Sequence, residues 1–129
     1  MPLLKFDLIE GRTQTEIKNL LDATHCAVLA AFDVPAKDRY QIVTEHKPHQ
    51  IIAEDTGLGF DRSPSLVILT VVTSPRSSVQ KENFLFLLQR ELTNKCGLRG
   101  EDLIVSFITN EKSDWSFGNG IAQYTTGDL

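Results

Sequence analysis

The sequence predicts an α/β fold. A tandem β-α-β repeat forms one four-stranded mixed sheet with two helices on one face, plus short extra strands. Three observations predict it. The chain resembles itself at an offset of 64 residues. Each copy opens with a strand-length apolar run that leads into a helix-start signature. Each copy closes with a second strand-length run. A repeat is sought first because missing one misassigns the whole fold.

The elements follow in order. Leu3 to Leu8 and Val67 to Val72 are short apolar runs, the second rich in valine, and both read as strands. Glu10-Gly11-Arg12-Thr13 then stands against Ser74-Pro75-Arg76-Ser77. Thr13 with Glu16, and Ser77 with Gln80, are capping boxes, in which a hydroxyl and a longer polar side chain satisfy free N–H groups at a helix start. In the first helix Ile17, Leu20, Leu21, Thr24, Val28 and Ala31 recur at helical spacing. In the second, Phe84, Leu85, Leu88 and Leu92 do so, and Gly97 supplies a stop. Val34 to Asp38 aligns with Leu98 to Asp102, and each stretch leads into another strand, Arg39–Glu45 and Leu103–Thr109.

Each half, about 1–64 and 65–129, therefore reads strand–helix–strand, and the two make a single domain. A strand returning over such a helix lies parallel to its predecessor with a right-handed crossover. Pairing the halves buries one sheet face under both helices. The other face needs cover, which in a chain this small points to subunit contact. Ile51 aligns with Trp115 at the same offset, so each half is expected to end in a short apolar strand or hairpin.

Composition excludes several function classes. A formal charge of -4 with no basic block argues against a nucleic-acid partner, which needs clustered Lys and Arg. No apolar run is long enough to span a membrane, and the amino terminus lacks a basic region followed by an apolar core. Cys26 and Cys96 fall in helical stretches and read as buried thiols of a reducing compartment, so a cytoplasmic location is expected. Gly57-Leu58-Gly59 lacks the third glycine and the following helix of a phosphate loop. His46 and His49 flank Pro48, which breaks the helix that a paired-histidine zinc motif needs. They read as surface histidines, and His25 as a packed or partly exposed helix residue. No Ser or Cys sits in a nucleophile elbow. Neither cofactor nor metal is expected.

The residues that can carry chemistry are Pro2, Asp38 and Arg76. A small residue at position two normally lets the start methionine be trimmed, which would leave Pro2 a free secondary amine at the head of a strand. That group serves as acid, base or imine-forming nucleophile. An amine still acylated by Met1 does none of this. If strands one and three are antiparallel, the head of one lies near the tail of the other, which puts Pro2 near Arg76. Asp38 precedes a strand parallel to the first and so begins at the same edge. A carboxylate there favours the charged amine. Arg76 offers a planar fork for a substrate carboxylate beside the free N–H groups of a helix start. Taken singly, each residue has a bland reading: an incidental proline, a turn or capping aspartate, a solvated helix-start arginine. Trp115 and Phe117 are core or subunit-contact aromatics by default, and walls of a small dry site in the functional reading.

Together these stretches resemble the tautomerase superfamily, and most of all its malonate semialdehyde decarboxylase branch. The resemblance runs over nearly the whole chain. It is carried by Pro2 to Thr13, Asp38-Arg39-Tyr40-Gln41, Glu54 to Phe60, Pro75-Arg76-Ser77, Asp114 to Gly118, and the tail Ala122-Gln123-Tyr124 with Thr126 to Leu129. The resemblance implies that Pro2 is the catalytic amine and that Asp38 assists it or positions water. It implies two arginines, one residue apart, on the substrate carboxylate. Arg76 matches the second, while Ser74 stands where the first is expected. Trp115 and Phe117 match pocket-lining aromatics. A homotrimer is implied, with a small carboxylate-bearing carbonyl compound as substrate.

The expected activity is decarboxylation of malonate semialdehyde to acetaldehyde and carbon dioxide, with the cationic Pro2 as electron sink. The alternative is keto–enol tautomerisation of a 2-oxo acid of the phenylpyruvate type, which needs a neutral Pro2. Hydration of an unsaturated acid is a possible accompanying activity. A non-enzymatic scaffold on the same fold is the reading from another class.

Overall fold

A computed structural model describes residues 1–129. Its sheet has four strands: β1 (Pro2–Ile9), β2 (Tyr40–His46), β3 (Val67–Thr73) and β4 (Leu103–Thr109), in the order β2-β1-β3-β4. The β1–β2 and β3–β4 pairs are parallel, and β1–β3 is antiparallel. Two 19-residue helices, α1 (Gln14–Phe32) and α2 (Ser78–Cys96), cross over one face. The repeat is visible in the caps. Thr13 and Ser77 each accept from the backbone N–H three residues on, and Glu16 and Gln80 return the bond. Both helices stop in the left-handed region, α2 at Gly97 and α1 at Asp33, a short polar residue that tolerates it.

Alternation along the strands sorts the two faces. Leu4, Phe6 and Leu8 of β1 and Val67, Leu69 and Val71 of β3 point at the helices and are buried. They meet Leu20, Ala23, Ala27 and Val28 of α1 and Phe84, Leu88 and Leu92 of α2 in one core. The opposite face carries Leu3, Tyr40, Ile42, Ile68, Val72, Ile104 and Ile108. Ile42 and Ile108 are 50% and 54% exposed, so the predicted open sheet face is present on the single chain. His46 Nε2 lies 2.7 Å from Asp7 Oδ1 on this face.

Four expectations need correction. The segments after β2 and β4 form no strands. Pro48–Gln50 and Lys112–Asp114 are 3₁₀ turns, and the tail ends in a short helix, α3 (Gln123–Thr126). Local side-chain bonds win there: the Asp55 carboxylate accepts from Gly57 and Gly59 N–H, which folds that stretch into a turn. Leu85 is 38% exposed, since Phe84, Leu88 and Leu92 take the buried stripe and Leu85 lies about 100° round the helix from Phe84. Both cysteines are exposed, on helix positions that the sheet does not cover. Finally, β2 starts at Tyr40, one residue later than read.

Candidate functional site

One edge of the sheet collects the predicted residues. Pro2 at the head of β1 pairs with Thr73 at the tail of β3. Three residues past Thr73 stands Arg76, just before the Ser77 cap of α2. Leu3 pairs with Tyr40, so the β2 start and the preceding Asp38 lie at the same edge. β4 also ends here: Thr109 pairs with Thr73, and Asn110 N–H donates to the Thr73 carbonyl at 2.9 Å. The chain after Asn110 therefore starts at this edge and folds back over it.

That tail builds one wall from stacked rings. Trp115 Nε1 donates to Asn110 Oδ1 at 2.8 Å, which orients the indole. Trp115 stacks on Phe117 at 5.4 Å, Phe117 stacks on Tyr40 at 5.6 Å, and Tyr124 meets Phe117 edge-on at 5.7 Å. Gln123 fixes the arrangement by accepting from Phe117 N–H and donating to the Gly118 carbonyl. Phe117 lines a cleft of about 330 Å³ with Asp38, Tyr40 and the terminal residue. Trp115 is not among the residues that line it; the indole stands behind Phe117 as its support.

A second cleft of about 430 Å³ adjoins on the other side of the terminal residue, lined by Ser74, Arg76, Gln80, Lys112 and Tyr124. The Arg76 guanidinium lies over the Phe32 ring at 4.8 Å. Its Nε donates to Thr73 Oγ1 at 3.3 Å, and Nη1 donates to the Phe32 carbonyl at 3.4 Å. Two of its five N–H donors are thus committed, and three remain for a ligand. Ser74 is buried on the same wall and holds no cation, so Arg76 has no guanidinium neighbour there.

Asp38 is 6% exposed, and neither carboxylate oxygen accepts a hydrogen bond from the protein. Burial pushes its pKa up, against the pull of the terminal amine, Arg76 and His25. His25 is buried and its Nε2 donates to the Ala36 carbonyl at 2.9 Å, which ties α1 to the loop that carries Asp38. The terminal amine here is that of Met1 and donates to Tyr124 Oη at 3.2 Å. Burial first, then Arg76 and Lys112, hold its pKa below the usual amine value, and Asp38 offsets only part of this. At the Met1 amine Asp38 favours the charged form, as expected of a nearby carboxylate, while burial and two cations outweigh it. Tyr124 and Lys112 were not singled out from sequence as site residues. No group of three or more His, Cys, Asp or Glu side chains stands together to hold a metal ion.

The repeat supplies an internal control. At the opposite sheet edge a cleft of about 210 Å³ is lined by Arg12, Glu16, Ser65, Cys96, Gly97 and Leu98. Shifted by 64, these are Arg76, Gln80, Met1, Phe32, Asp33 and Val34, all of which line the larger cleft. The two ends differ in how their polar groups are committed. Asp102, the counterpart of Asp38, is saturated: it accepts from Ser63 N–H at 2.7 Å and Ser63 Oγ at 2.6 Å. Arg12 donates to the Ser65 carbonyl at 2.7 Å. The backbone runs on through Ser65 and Leu66, so no amine is free there. Only the end at Met1 combines a chain terminus, an unpartnered carboxylate and a roof of tail residues.

Comparison with known proteins agrees with this geometry. Family models described as tautomerase enzyme match residues 38–118 and residues 2–61. A probable tautomerase of Bacillus subtilis (strain 168), YrdN, is 54% identical over 129 residues, the whole of both chains. A malonate semialdehyde decarboxylase, solved in wild-type, mutant and inactivated forms and described as having decarboxylase and hydratase activities, superposes with a TM-score of 0.97. It is 53% identical over 98% of each chain. FG41 malonate semialdehyde decarboxylase, inhibited by 3-bromopropiolate, gives a TM-score of 0.94 at 41% identity over 98% of this chain and 97% of that one. With the tandem β-α-β sheet and the amino-terminal edge built as described, the chain belongs to the tautomerase family of enzymes.

Proposed function

We propose that the protein decarboxylates malonate semialdehyde to acetaldehyde and carbon dioxide, with Pro2 as the catalytic amine once Met1 is removed. The observation that carries this reading is the convergence of Pro2, the unpartnered Asp38 and the half-committed Arg76 at one sheet edge. The 53% identity to a malonate semialdehyde decarboxylase supports the choice of substrate.

Each residue then has a role. Arg76 binds the substrate carboxylate through its free donors and sets the breaking C–C bond perpendicular to the carbonyl plane, where its electrons enter the π-system. The protonated Pro2 amine polarises the aldehyde oxygen, or Pro2 in its neutral form adds to the aldehyde and loses water to give an iminium cation, and either cation receives those electrons. Carbon dioxide leaves. The resulting enol or enamine takes a proton at carbon and yields acetaldehyde, after hydrolysis in the iminium case. Asp38 is the group at this edge that favours a charged amine; at Met1, burial, Arg76 and Lys112 act against it. The Phe117 ring, backed by Trp115, excludes water from the carboxylate's surroundings. Ser74 contributes room and a hydroxyl where a second guanidinium is absent. The chain works as a single domain of two β-α-β halves in a homotrimer, whose subunits cover the open sheet face around Ile42 and Ile108.

The alternative is ketonisation of a 2-oxo acid by a neutral Pro2. It is favoured by the naming of the 54% identical relative as a probable tautomerase and by the low-shifted amine at this edge. Hydration of an unsaturated acid uses the same acid and carboxylate site and accompanies either reading. The test is decarboxylation of malonate semialdehyde by protein whose mass shows Met1 absent, with Pro2→Ala in parallel. A rate lost in the variant supports the decarboxylase. A rate no higher than the variant's removes that reading and sends the assay to phenylpyruvate ketonisation.

A further inference from the structure

We propose that Lys112 is a second substrate-carboxylate-binding residue, which approaches the acid from the tail side while Arg76 holds it from the sheet edge. This rests on the proposed carboxylate-bearing substrate and names a further contact within that site. Lys112 lines the same cleft as Arg76, Ser74, Gln80 and Tyr124. Its position is fixed by a 3₁₀ turn, Lys112–Asp114, in which the Asp114 carboxylate accepts from Glu111 N–H at 2.8 Å. The ammonium lies over the Tyr124 ring at 5.7 Å and pairs with no carboxylate of the chain. Three other cations near the two ends of the sheet are committed, while Lys37 lines the adjoining cleft unpaired. Lys95 pairs with Glu91 at 2.6 Å, Arg12 donates to Ser65, and Arg39 pairs with Asp22 at 2.7 Å.

Two further observations point the same way. Lys112 and Arg76 both depress the pKa of the terminal amine, so their fields overlap where a small anion would sit. The repeat-related cleft offers the contrast. Shifted by 64, Lys112 falls on Pro48, which carries no charge and is not among the residues lining that cleft, and Glu16 stands where the larger cleft has the neutral Gln80. Each cleft is lined by one arginine and one lysine, but Lys95 of the smaller cleft is paired with Glu91 whereas Lys112 pairs with no carboxylate. A lysine suits this place because its single charge on a flexible stem follows an acid whose carbonyl end is already fixed, whereas the planar Arg76 fork sets orientation. Lys112 therefore contributes to affinity more than to alignment.

The test uses malonate as a non-reactive dicarboxylate probe and the chain's one tryptophan, Trp115, as reporter, since its indole stacks on Phe117, which meets Tyr124 of the Lys112 cleft edge-on. Malonate titrations are run on the wild type, Lys112→Ala, Lys112→Gln and Lys112→Arg, with thermal melting to show that each is folded. In Lys112→Ala and Lys112→Gln malonate affinity is expected to fall about tenfold, the low end for a charge-assisted contact at an exposed site. Lys112→Arg is expected to stay within about threefold of wild type. In turnover the same loss appears in KM with kcat nearly unchanged. Equal malonate affinity in wild type and Lys112→Ala overturns the proposal. So does a loss in Lys112→Arg as large as in Lys112→Gln, which would show that shape and not charge matters. The binding readout separates this proposal from the decarboxylase reading. A wild type that binds malonate in a Lys112-dependent way but leaves malonate semialdehyde intact keeps Lys112 and removes the decarboxylase.

Discussion

Asp38→Asn is expected to make the protein more stable and less active. Asp38 is 6% exposed, its carboxylate accepts no hydrogen bond from the chain, and burial holds its pKa up despite nearby positive groups. A raised pKa means that the fold disfavours the ionised form relative to the unfolded chain. The penalty is therefore full at pH values above the folded-state pKa. It shrinks as pH falls through that pKa, and is gone below the unfolded value of about 3.9. Leaving a buried charged acceptor unsatisfied costs about 1–3 kcal/mol, and the replacement amide, also unpartnered, takes back part of the gain. The expected net gain is about 1 kcal/mol at pH 7.5, or ~3–5 °C in melting temperature for a chain of this size. The assay is thermal unfolding of wild type and Asp38→Asn at fixed protein concentration from pH 7.5 to pH 4.5. The difference in melting temperature must narrow as pH falls. A variant less stable than wild type at pH 7.5, or a gain independent of pH, refutes the argument. It would mean that Asp38 is held by the amine and Arg76 more strongly than burial penalises it.

Three further outcomes follow from the same geometry. Arg76→Ala should lower kcat/KM about a hundredfold, as expected for loss of a charge-assisted bidentate contact, and Arg76→Lys should recover only part of that because the fork is gone; steady-state kinetics decides. If Pro2 acts as a cation, kcat/KM falls on the alkaline side of the amine's pKa. Asp38→Asn then moves that limb to lower pH by removing the group that raises the amine's pKa, whereas a base role puts the limb on the acid side. Phe84→Ala should cost about 3–5 kcal/mol in denaturant unfolding as a core cavity. It should also weaken catalysis, because Phe84 stacks at 5.0 Å on Phe32, the ring that carries Arg76.

How much of this was legible in the sequence differs by segment. The sheet, both helices and their caps were readable because they repeat at a fixed offset: Thr13 with Glu16 and Ser77 with Gln80 do the same job twice. The meeting of Pro2, Asp38 and Arg76 was readable because strand register, once the halves pair, fixes which ends share an edge. Lys112 and Tyr124 were not. They lie beyond β4, where no periodicity applies and ring stacking among Trp115, Phe117, Tyr40 and Tyr124 decides the path of the chain. The absence of extra strands has the same origin, since Asp55 and Pro48 spend their local hydrogen-bonding and φ preferences on turns. Cys26 and Cys96 were misread because composition says that thiols are usually buried, but not which helix face each occupies.

The repeat also bears on why the proposed chemistry belongs to one end. Duplicating a strand–helix–strand unit duplicates its sheet edge, its helix start and its arginine, and both clefts survive in recognisable form. A free amine cannot be duplicated in one chain. Where the second copy begins, Leu66 is buried at 3% exposure and Ser65 lends its carbonyl to Arg12. With no amine to serve, an unpartnered acid at that end would cost stability and return nothing, and Asp102 is closed off by two bonds from Ser63. At the other end Asp38 keeps both oxygens open. Two aspartates in equivalent places thus have opposite environments, one that stabilises the fold and one that burdens it. The burdened carboxylate stands beside the chain terminus, where local strain or poor pairing is the expected mark of a working site.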